Sequence, residues 1–189
     1  MHLTTDDRRP TANKVLRILF VCTGNTCRSP MAEGLCRNFL GHFRLQWEVE
    51  VASAGLNAAA GGPASREAIA IMAERGIDLS VHQTARLTIE KVQWANLILT
   101  MEEDHRQRLL EKFPEAVGKT FVLKEYVAAP PDGAPAVRVG KKRVGGYDIP
   151  DPFGQSPEAY RRCAMELASA VADVCIDVDH RLKRGENQD

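Results

Sequence analysis

Residues 15–31 read VLRILFVCTGNTCRSPM, and this stretch decides the fold of the chain. Its first seven residues form an apolar run rich in branched side chains, which predicts a buried strand over 15–21. The polar turn that follows contains Gly24 and Asn25, two residue types that tolerate unusual backbone angles. Ser29 and Pro30 then suit the N-cap and the first position of a helix. The stretch therefore predicts a strand, a tight loop and a helix in direct succession.

The same alternation continues along the chain. Three further strands are predicted over 47–55, 96–100 and 120–127. Further helices are predicted over 64–76 and 88–95, from the residues after Thr100 to those before Pro114, and from Ser156 onward. Strands that alternate with helices indicate an α/β fold, here a four-stranded parallel sheet with helices on both faces in three αβα layers. Ligands of such sheets bind at the carboxyl ends of the strands, so the loop after residue 21 is the expected site.

The length of 189 residues suits a single domain. We expect a flexible N-terminal arm over 1–13, one domain over 14–183 and a C-terminal tail over 184–189. The long segment 128–155 is rich in Pro and Gly, and a loop of that length in a compact domain is usually functional or disordered.

Charge and cysteine usage restrict the class of protein. The chain has 25 Lys and Arg against 25 Asp and Glu, which gives no support for bulk binding of nucleic acid or of a membrane surface. The first residues lack the apolar core of a signal peptide, and no apolar run approaches the length of a membrane span. Five cysteines, an odd number, do not indicate a secreted disulfide framework. We expect a cytoplasmic protein that is a monomer or a weak dimer.

The loop of residues 22–29 has the composition of a phosphate site. Backbone N–H groups of a tight loop at a helix N-terminus favour an anion. Arg28 adds a planar fork that can bind phosphate in a bidentate manner. The same groups should lower the pKa of the Cys22 thiol and make it a nucleophile for phosphoryl transfer.

The leaving group of such a transfer needs a proton from an acid on another segment. The stretch DIPDPFG contains Asp148 and Asp151. Asp151 is favoured because Pro152 stiffens its neighbourhood and the last helix follows closely, and Asp148 is the second choice. No metal or organic cofactor is required. Zinc is disfavoured because Cys22 and Cys27 have no second matching pair, and the remaining cysteines, Cys36, Cys163 and Cys175, are interpreted as core residues.

At this point the motif VCTGNTCRSPMAEG, together with the later DPFG, resembles the low-molecular-weight protein tyrosine phosphatase family, over roughly residues 15–184. The resemblance implies that Cys22 forms a phosphocysteine intermediate, that Arg28 binds phosphate and that Asp151 is the general acid and then the base. It implies a phosphate-binding loop formed with Thr23, Gly24, Asn25, Thr26, Cys27 and Ser29. It also implies that Asn25, Ser29, Ser53 and His82 form a hydrogen-bond network that supports the loop. Cys27 could trap oxidised Cys22 as a reversible disulfide.

Thr26 bears on the choice of substrate. CTGNTCR, with threonine at this position, resembles the bacterial protein-arginine phosphatase branch, whereas the tyrosine phosphatases commonly have Ile or Leu. A smaller, more polar side chain suits a guanidino leaving group, and Phe153 is the one aromatic residue that follows Asp151 closely, so stacking on a phenyl ring would be weak. We therefore predict phosphorylated proteins as substrates, with phosphoarginine ahead of phosphotyrosine.

Three alternatives stay open on sequence alone. The first is a broad-specificity tyrosine phosphatase in which Thr26 is a neutral variant. The second is an arsenate reductase, which is disfavoured because no cysteine occurs between Cys36 and Cys163 to relay electrons. The third is a binding module for phosphorylated residues, disfavoured because both Cys22 and Asp151 are present.

A basic run lies in the long loop and consists of Arg138, Lys141, Lys142 and Arg143. The plainer interpretation is a solvated loop. The alternative is a patch that steers acidic or phosphorylated protein segments to the site.

Overall fold

The computed structural model describes residues 15–43, 48–128 and 146–184. The described strands are β1 Val15–Cys22, β2 Glu48–Gly55, β3 Leu97–Thr100 and β4 Thr120–Val122. They form one parallel sheet in the order β2–β1–β3–β4. The expected α/β fold with a four-stranded parallel sheet is therefore confirmed.

The helices connect and cover these strands. Their bounds are α1 Arg28–Leu40, α2 Arg66–Ala73, α3 Ile89–Trp94, α4 Glu103–Lys112, α5 Leu123–Val127 and α6 Pro157–Arg184, with a 3₁₀ helix over Pro114–Lys119. Within the described residues, no helix combines the length and the apolar character needed to cross a membrane. The predicted arm 1–13, residues 185–189 of the tail and the basic run at 138–143 lie outside the described residues.

Strand β1 supplies the centre of two hydrophobic cores, one on each face of the sheet. Ile18 and Phe20 point to the face covered by α1, α2 and α6, while Leu19 and Val21 point to the face covered by α3 and α4. All four side chains are fully buried. Burial on both faces explains why this strand reads as a continuous apolar run rather than as an alternating pattern.

The expected strand over 120–127 is wrong for its second half. Strand β4 pairs with β3 only as far as Thr100↔Val122, because β3 itself ends at Thr100. The chain then turns into α5, in which Leu123, Tyr126 and Val127 recur at helical spacing and pack against the larger core. Loss of the pairing partner, and not the β-branched composition, decides where the strand ends.

The expected N-cap at Ser29 is also wrong. Helix α1 begins at Arg28, and Cys27 occupies the cap position without a side-chain capping bond. The Ser29 hydroxyl is engaged elsewhere, with Cys22 and Asn25. The side chain that favours a cap in isolation is thus used to shape the loop before the helix.

The sheet order brings two loops together. The chain leaves β1 on one side to reach β2 and returns on the other side to β3, so β1 and β3 are neighbours and their carboxyl ends meet. The Met101 N–H donates to the carbonyl of Val21 at 3.2 Å, and the Ile149 N–H donates to the carbonyl of Met101 at 2.9 Å. These bonds draw the segment 146–156 over the end of β1, at the switch point where ligands of such sheets bind.

Candidate active site

A cavity of about 300 Å³ lies at this end of the sheet. Its walls come from the phosphate loop, defined as residues 22–29, and from the segment that follows Ile149. The lining residues are Cys22, Thr23, Gly24, Thr26, Cys27, Arg28, Asp151 and Phe153. The structure thus brings the three residues predicted to be catalytic, Cys22, Arg28 and Asp151, into one pocket.

The phosphate loop is shaped around Asn25. The backbone φ of Asn25 is 56°, in the left-handed region that residues other than glycine rarely adopt. Gly24 does not have a positive φ. The Asn25 Nδ2 donates to Ser29 Oγ at 2.9 Å and to Ser53 Oγ at 2.8 Å, while its Oδ1 accepts from the Ala85 N–H at 2.8 Å. Asn25 is fully buried, so these bonds hold the strained backbone in place.

Two further side chains extend this network. His82 Nε2 lies 3.0 Å from the carbonyl oxygen of Asn25, which is the position that the resemblance implied for this histidine. The Ser53 hydroxyl donates to Glu33 Oε2 at 2.6 Å. Glu33 was not among the predicted site residues, although it lies in the quoted motif. It is five residues after Arg28 on α1 and reaches Ser53 on β2.

Strand β2 runs close under the start of the loop. A Cβ on Gly55 would lie 2.7 Å from the Thr23 carbonyl oxygen, so only glycine permits this approach. The N–H groups of Leu56 and Asn57 donate to the carbonyls of Cys22 and Thr23, each at 2.9 Å. The backbone after β2 therefore forms one wall of the phosphate loop.

The Cys22 thiol is buried and surrounded by donors. Ser29 Oγ lies 3.0 Å from Sγ, and the Asn25 N–H donates to Sγ at 3.3 Å. Burial raises the pKa of this thiol, and the hydrogen bonds from Ser29 and the charge of Arg28 lower it by less. The expected net lowering of the pKa is thus wrong for this arrangement, because desolvation outweighs the donors.

The ion pairs of Arg28 limit how much its charge can stabilise the Cys22 thiolate. Its guanidinium is buried and forms ion pairs with Glu102 and with Asp151, where Nη2 lies 2.8 Å from Oδ2. Nη1 also donates to the carbonyl of Ile149 at 2.9 Å. Two carboxylates balance one guanidinium, so less positive potential reaches Cys22.

The two candidate acids have different surroundings. The Asp151 side chain is 46% exposed at the mouth of the pocket and contacts Arg28. The Asp148 Oδ1 instead accepts from the Glu103 N–H at 2.9 Å, at the beginning of α4. A carboxylate at a helix N-terminus is favoured by the free N–H groups there. The geometry therefore favours Asp151 as the acid and gives Asp148 a structural contact.

Glu102 and His105 also contact the phosphate loop, although neither was predicted from the sequence as a site residue. His105 is buried, and its Nε2 lies 2.8 Å from Thr23 Oγ1 and 3.5 Å from Glu102 Oε2. Burial and the positive charge of Arg28 lower the pKa of His105. Both residues follow β3, and the adjacency of β1 and β3 was the information needed to place them beside the phosphate loop.

Cys27 faces the same pocket and contacts two hydroxyl groups. Its Sγ lies 3.3 Å from Tyr160 Oη and donates to Ser65 Oγ at 3.4 Å. Burial, and then the hydrogen bond with the Cys27 thiol, raise the pKa of Tyr160. The other three cysteines are buried in the core, as expected, and Cys36 and Cys175 contact each other there with their sulfur atoms 3.8 Å apart.

The residues predicted to determine specificity also line the pocket. Thr26 is half-buried, with its Oγ1 3.5 Å from Cys27 Sγ. Phe153 is 68% exposed at the pocket mouth, and it is the one aromatic side chain among the described lining residues. No cluster of three or more His, Cys, Asp or Glu suited to a metal ion occurs within residues 15–43, 48–128 and 146–184.

Comparisons with known proteins agree with this geometry. Residues 17–185 match the family model for low molecular weight phosphotyrosine protein phosphatase. The chain is 42% identical to a protein-arginine-phosphatase of Geobacillus stearothermophilus, over 82% of this chain and 90% of the relative. It is also 42% identical to a probable low molecular weight protein-tyrosine-phosphatase, EpsP, of Ralstonia solanacearum, over 86% of this chain and 90% of the relative. The solved structure of the YwlE arginine phosphatase from Geobacillus stearothermophilus superposes with a TM-score of 0.76 at 37% identity, covering 92% of this chain and 99% of that one.

Proposed function

This chain belongs to the low molecular weight phosphotyrosine protein phosphatase family, and from that premise we propose that it removes phosphate from phosphoarginine residues of proteins. Cys22 is the nucleophile, Arg28 binds the phosphoryl group and Asp151 transfers the proton. The observation that carries the choice of phosphoarginine is Thr26, which lines the same pocket as these three residues.

Substrate binding requires Arg28 to exchange partners. The guanidinium currently faces Asp151 and Glu102. A phosphoryl group offers two oxygens to this fork in place of one contact from each carboxylate, and the N–H groups of the strained loop can bind the remaining oxygens. Binding then releases the Asp151 carboxyl toward the leaving group at the pocket mouth.

In the first chemical step the Cys22 thiolate attacks phosphorus. An S–P bond forms, and the bond from phosphorus to the guanidino nitrogen breaks. Asp151, in its protonated form, gives its proton to that nitrogen. The guanidino group therefore does not leave as an anion. Arg28 and the loop N–H groups stabilise the charge on the equatorial oxygens.

In the second step water hydrolyses the phosphocysteine. The Asp151 carboxylate accepts a proton from the attacking water, an O–P bond forms and the S–P bond breaks. Cys22 leaves as a thiolate, which the Ser29 hydroxyl can stabilise from its position 3.0 Å away. Inorganic phosphate is the product, and it should inhibit because it fills the same anion site.

Phosphotyrosine is the second candidate substrate. The exposed ring of Phe153 at the pocket mouth could contact a phenol, and the EpsP relative is named a tyrosine phosphatase. A phenol is usually held between two aromatic faces, however, and the described lining residues offer one. Thr26 is also smaller and more polar than the Ile or Leu that is common at this position among the tyrosine phosphatases.

The test measures kcat/KM for one peptide sequence in phosphoarginine and phosphotyrosine forms, with wild type, Cys22→Ser and Asp151→Asn. We expect wild type to prefer the phosphoarginine form and Cys22→Ser to lose at least about 10⁴-fold on both. A preference for phosphotyrosine would retain the cysteine mechanism and overturn the substrate. Absence of turnover of either form by wild type would overturn the proposed function.

A further inference from the structure

A second cavity lies beside the phosphate loop and has no part in the chemistry described above. It is an open cleft of about 360 Å³ between the loop after β2 and helix α4. Its lining residues are Leu56, Asn57, Arg86, Arg108, Glu111 and Lys112. Three cations therefore share this cleft with one carboxylate.

The cations of the cleft are incompletely neutralised. Arg86 is exposed and forms no ion pair with any residue in the described part of the chain. Lys112 lies over the ring of Phe113, 5.2 Å from its centroid, with no carboxylate partner among the described residues. Arg108 contacts Asp104 at 3.4 Å on the exposed face of α4. The local excess of positive charge favours an anion.

Asn57 arranges Arg108 within the cleft. In the amide orientation that satisfies both groups, the Asn57 side-chain oxygen accepts from Arg108 Nη2 at 2.9 Å. Since a guanidinium has five donors, this bond leaves others free for a second acceptor. Arg108 is thus held by Asn57 through Nη2 and by Asp104 through Nη1, and its remaining N–H groups can bind a ligand.

The cleft borders the catalytic pocket through two backbone segments. The Asn57 N–H donates to the carbonyl of Thr23, and Thr23 lines the catalytic pocket. On the α4 side, His105 contacts Thr23, and Arg108 follows His105 by one helical turn. The cleft and the catalytic pocket are therefore adjacent, so residues that neighbour a bound phosphorylated residue can reach the cleft.

We propose that this cleft binds the carboxylate of an acidic residue that neighbours the phosphorylated residue in a protein substrate. Arg86 and Arg108 offer planar forks that match a carboxylate, and Lys112 adds a third positive charge. The proposal rests on the phosphatase function proposed above and adds a preference for acidic sequence context. The test places the acidic side chain two to four residues away, which is about 7–14 Å along an extended chain.

The experiment compares matched phosphopeptides with Glu or Gln at those positions, on either side, in phosphoarginine and phosphotyrosine forms. The readout is the ratio of kcat/KM for the Glu peptide to that for the Gln peptide. It is calculated separately for the phosphoarginine and the phosphotyrosine peptides. The variants are Arg86→Gln and Arg86→Glu, with Arg75→Glu, an exposed arginine just beyond the end of α2, as the matched control. p-Nitrophenyl phosphate, which has no neighbouring residue, reports the chemistry alone.

We expect a ratio of about 3–10 for wild type at low salt, since exposed charge pairs contribute modestly. The ratio should approach one in about 0.5 M salt, where charges are screened, and fall below one in Arg86→Glu. Arg75→Glu should leave the ratio unchanged, and all three variants should hydrolyse p-nitrophenyl phosphate as wild type does.

A wild-type ratio of one on both sides, or a ratio that persists in Arg86→Glu, would overturn the cleft proposal. Equal losses of kcat/KM by Arg86→Glu on the Glu peptide, the Gln peptide and the ester would also overturn it, because they would indicate a general effect on the fold. Failure of wild type to hydrolyse either phosphopeptide or the ester would overturn the phosphatase function itself, so the two failures are distinguishable.

Discussion

Asp151 and Arg28 form an ion pair across the mouth of the pocket, with Oδ2 of the aspartate 2.8 Å from Nη2 of the arginine. The residue proposed to deliver the proton is thereby held against the residue proposed to bind phosphate. A phosphoryl group that occupies the fork of Arg28 must displace this carboxylate. Substrate binding and positioning of the acid are therefore coupled through one guanidinium.

The first prediction separates the two aspartates of the segment DIPDPFG. Asp151→Asn removes the transferable proton and should lower kcat for a phosphoarginine peptide by about 10²–10⁴-fold. Asp148→Asn is the matched control, because its Oδ1 can still accept from the Glu103 N–H, so we expect kcat within about threefold of wild type. The measurement is steady-state kinetics for both variants. The reverse order of effects would make Asp148 the acid.

The second prediction concerns the acidity of the nucleophile. Glu102 balances the charge of Arg28, so Glu102→Gln should lower the pKa of the Cys22 thiol, which burial raises in wild type. A lower pKa means more thiolate at neutral pH. We expect inactivation by iodoacetate at pH 7 to become about threefold faster, with the whole pH profile moved to lower pH.

Glu103→Gln is the control for this variant, because Glu103 pairs with Arg106 and not with Arg28. Its inactivation profile should follow wild type. An unchanged profile in Glu102→Gln, or one moved to higher pH, would contradict the assignment of Glu102 as the residue that reduces the effect of Arg28.

The third prediction tests the strained backbone at Asn25. Asn25→Ala removes three buried hydrogen bonds and keeps a Cβ at positive φ, so we expect the free energy of unfolding to fall by about 3 kcal/mol. Asn25→Gly loses the same bonds, but glycine adopts a positive φ without strain. We therefore expect its loss of unfolding free energy to be about 1 kcal/mol smaller than that of Asn25→Ala. Urea denaturation measures both. Equal costs for the two variants would mean that the backbone angle carries no strain.

The fourth prediction concerns substrate choice. Thr26→Ile replaces a hydroxyl in the pocket with a larger apolar group, which should favour a phenol over a guanidine. We expect the ratio of kcat/KM for phosphoarginine to that for phosphotyrosine to fall by at least about tenfold. Thr26→Val, which is close in size to threonine, distinguishes the loss of the hydroxyl from the gain in volume. An unchanged ratio in both variants would make Thr26 a neutral residue.

The fifth prediction concerns oxidation. Peroxide would convert the Cys22 thiolate to a sulfenic acid, and the Cys27 thiol could then displace water to form a disulfide. We expect a thiol reductant to restore most of the activity of peroxide-treated wild type and little of that of Cys27→Ser, whose Cys22 would be oxidised further. Cys163→Ala, which alters a buried cysteine that does not line the pocket, should recover as wild type does. Equal recovery in Cys27→Ser would exclude this role.

The sequence by itself determined the features that depend on residues close together along the chain. The strand, loop and helix over 15–40 follow from an apolar run, a polar turn and helical spacing, and the same few residues carry Cys22 and Arg28. The parallel sheet follows from the alternation of elements, because parallel strands need crossover connections. Asp151 could be proposed because its motif adjoins the last helix.

Tertiary structure decided what depends on contacts between distant segments. Glu102 reaches Arg28 only because β3 lies next to β1, and β4 stops after three residues only because β3 does. The pKa of Cys22 is raised because the thiol is buried, and burial depends on segments that are distant along the chain. Likewise, the cleft beside Asn57 joins cations from two segments. Sequence patterns report local preference, whereas desolvation and ion pairing depend on which surfaces the fold brings together.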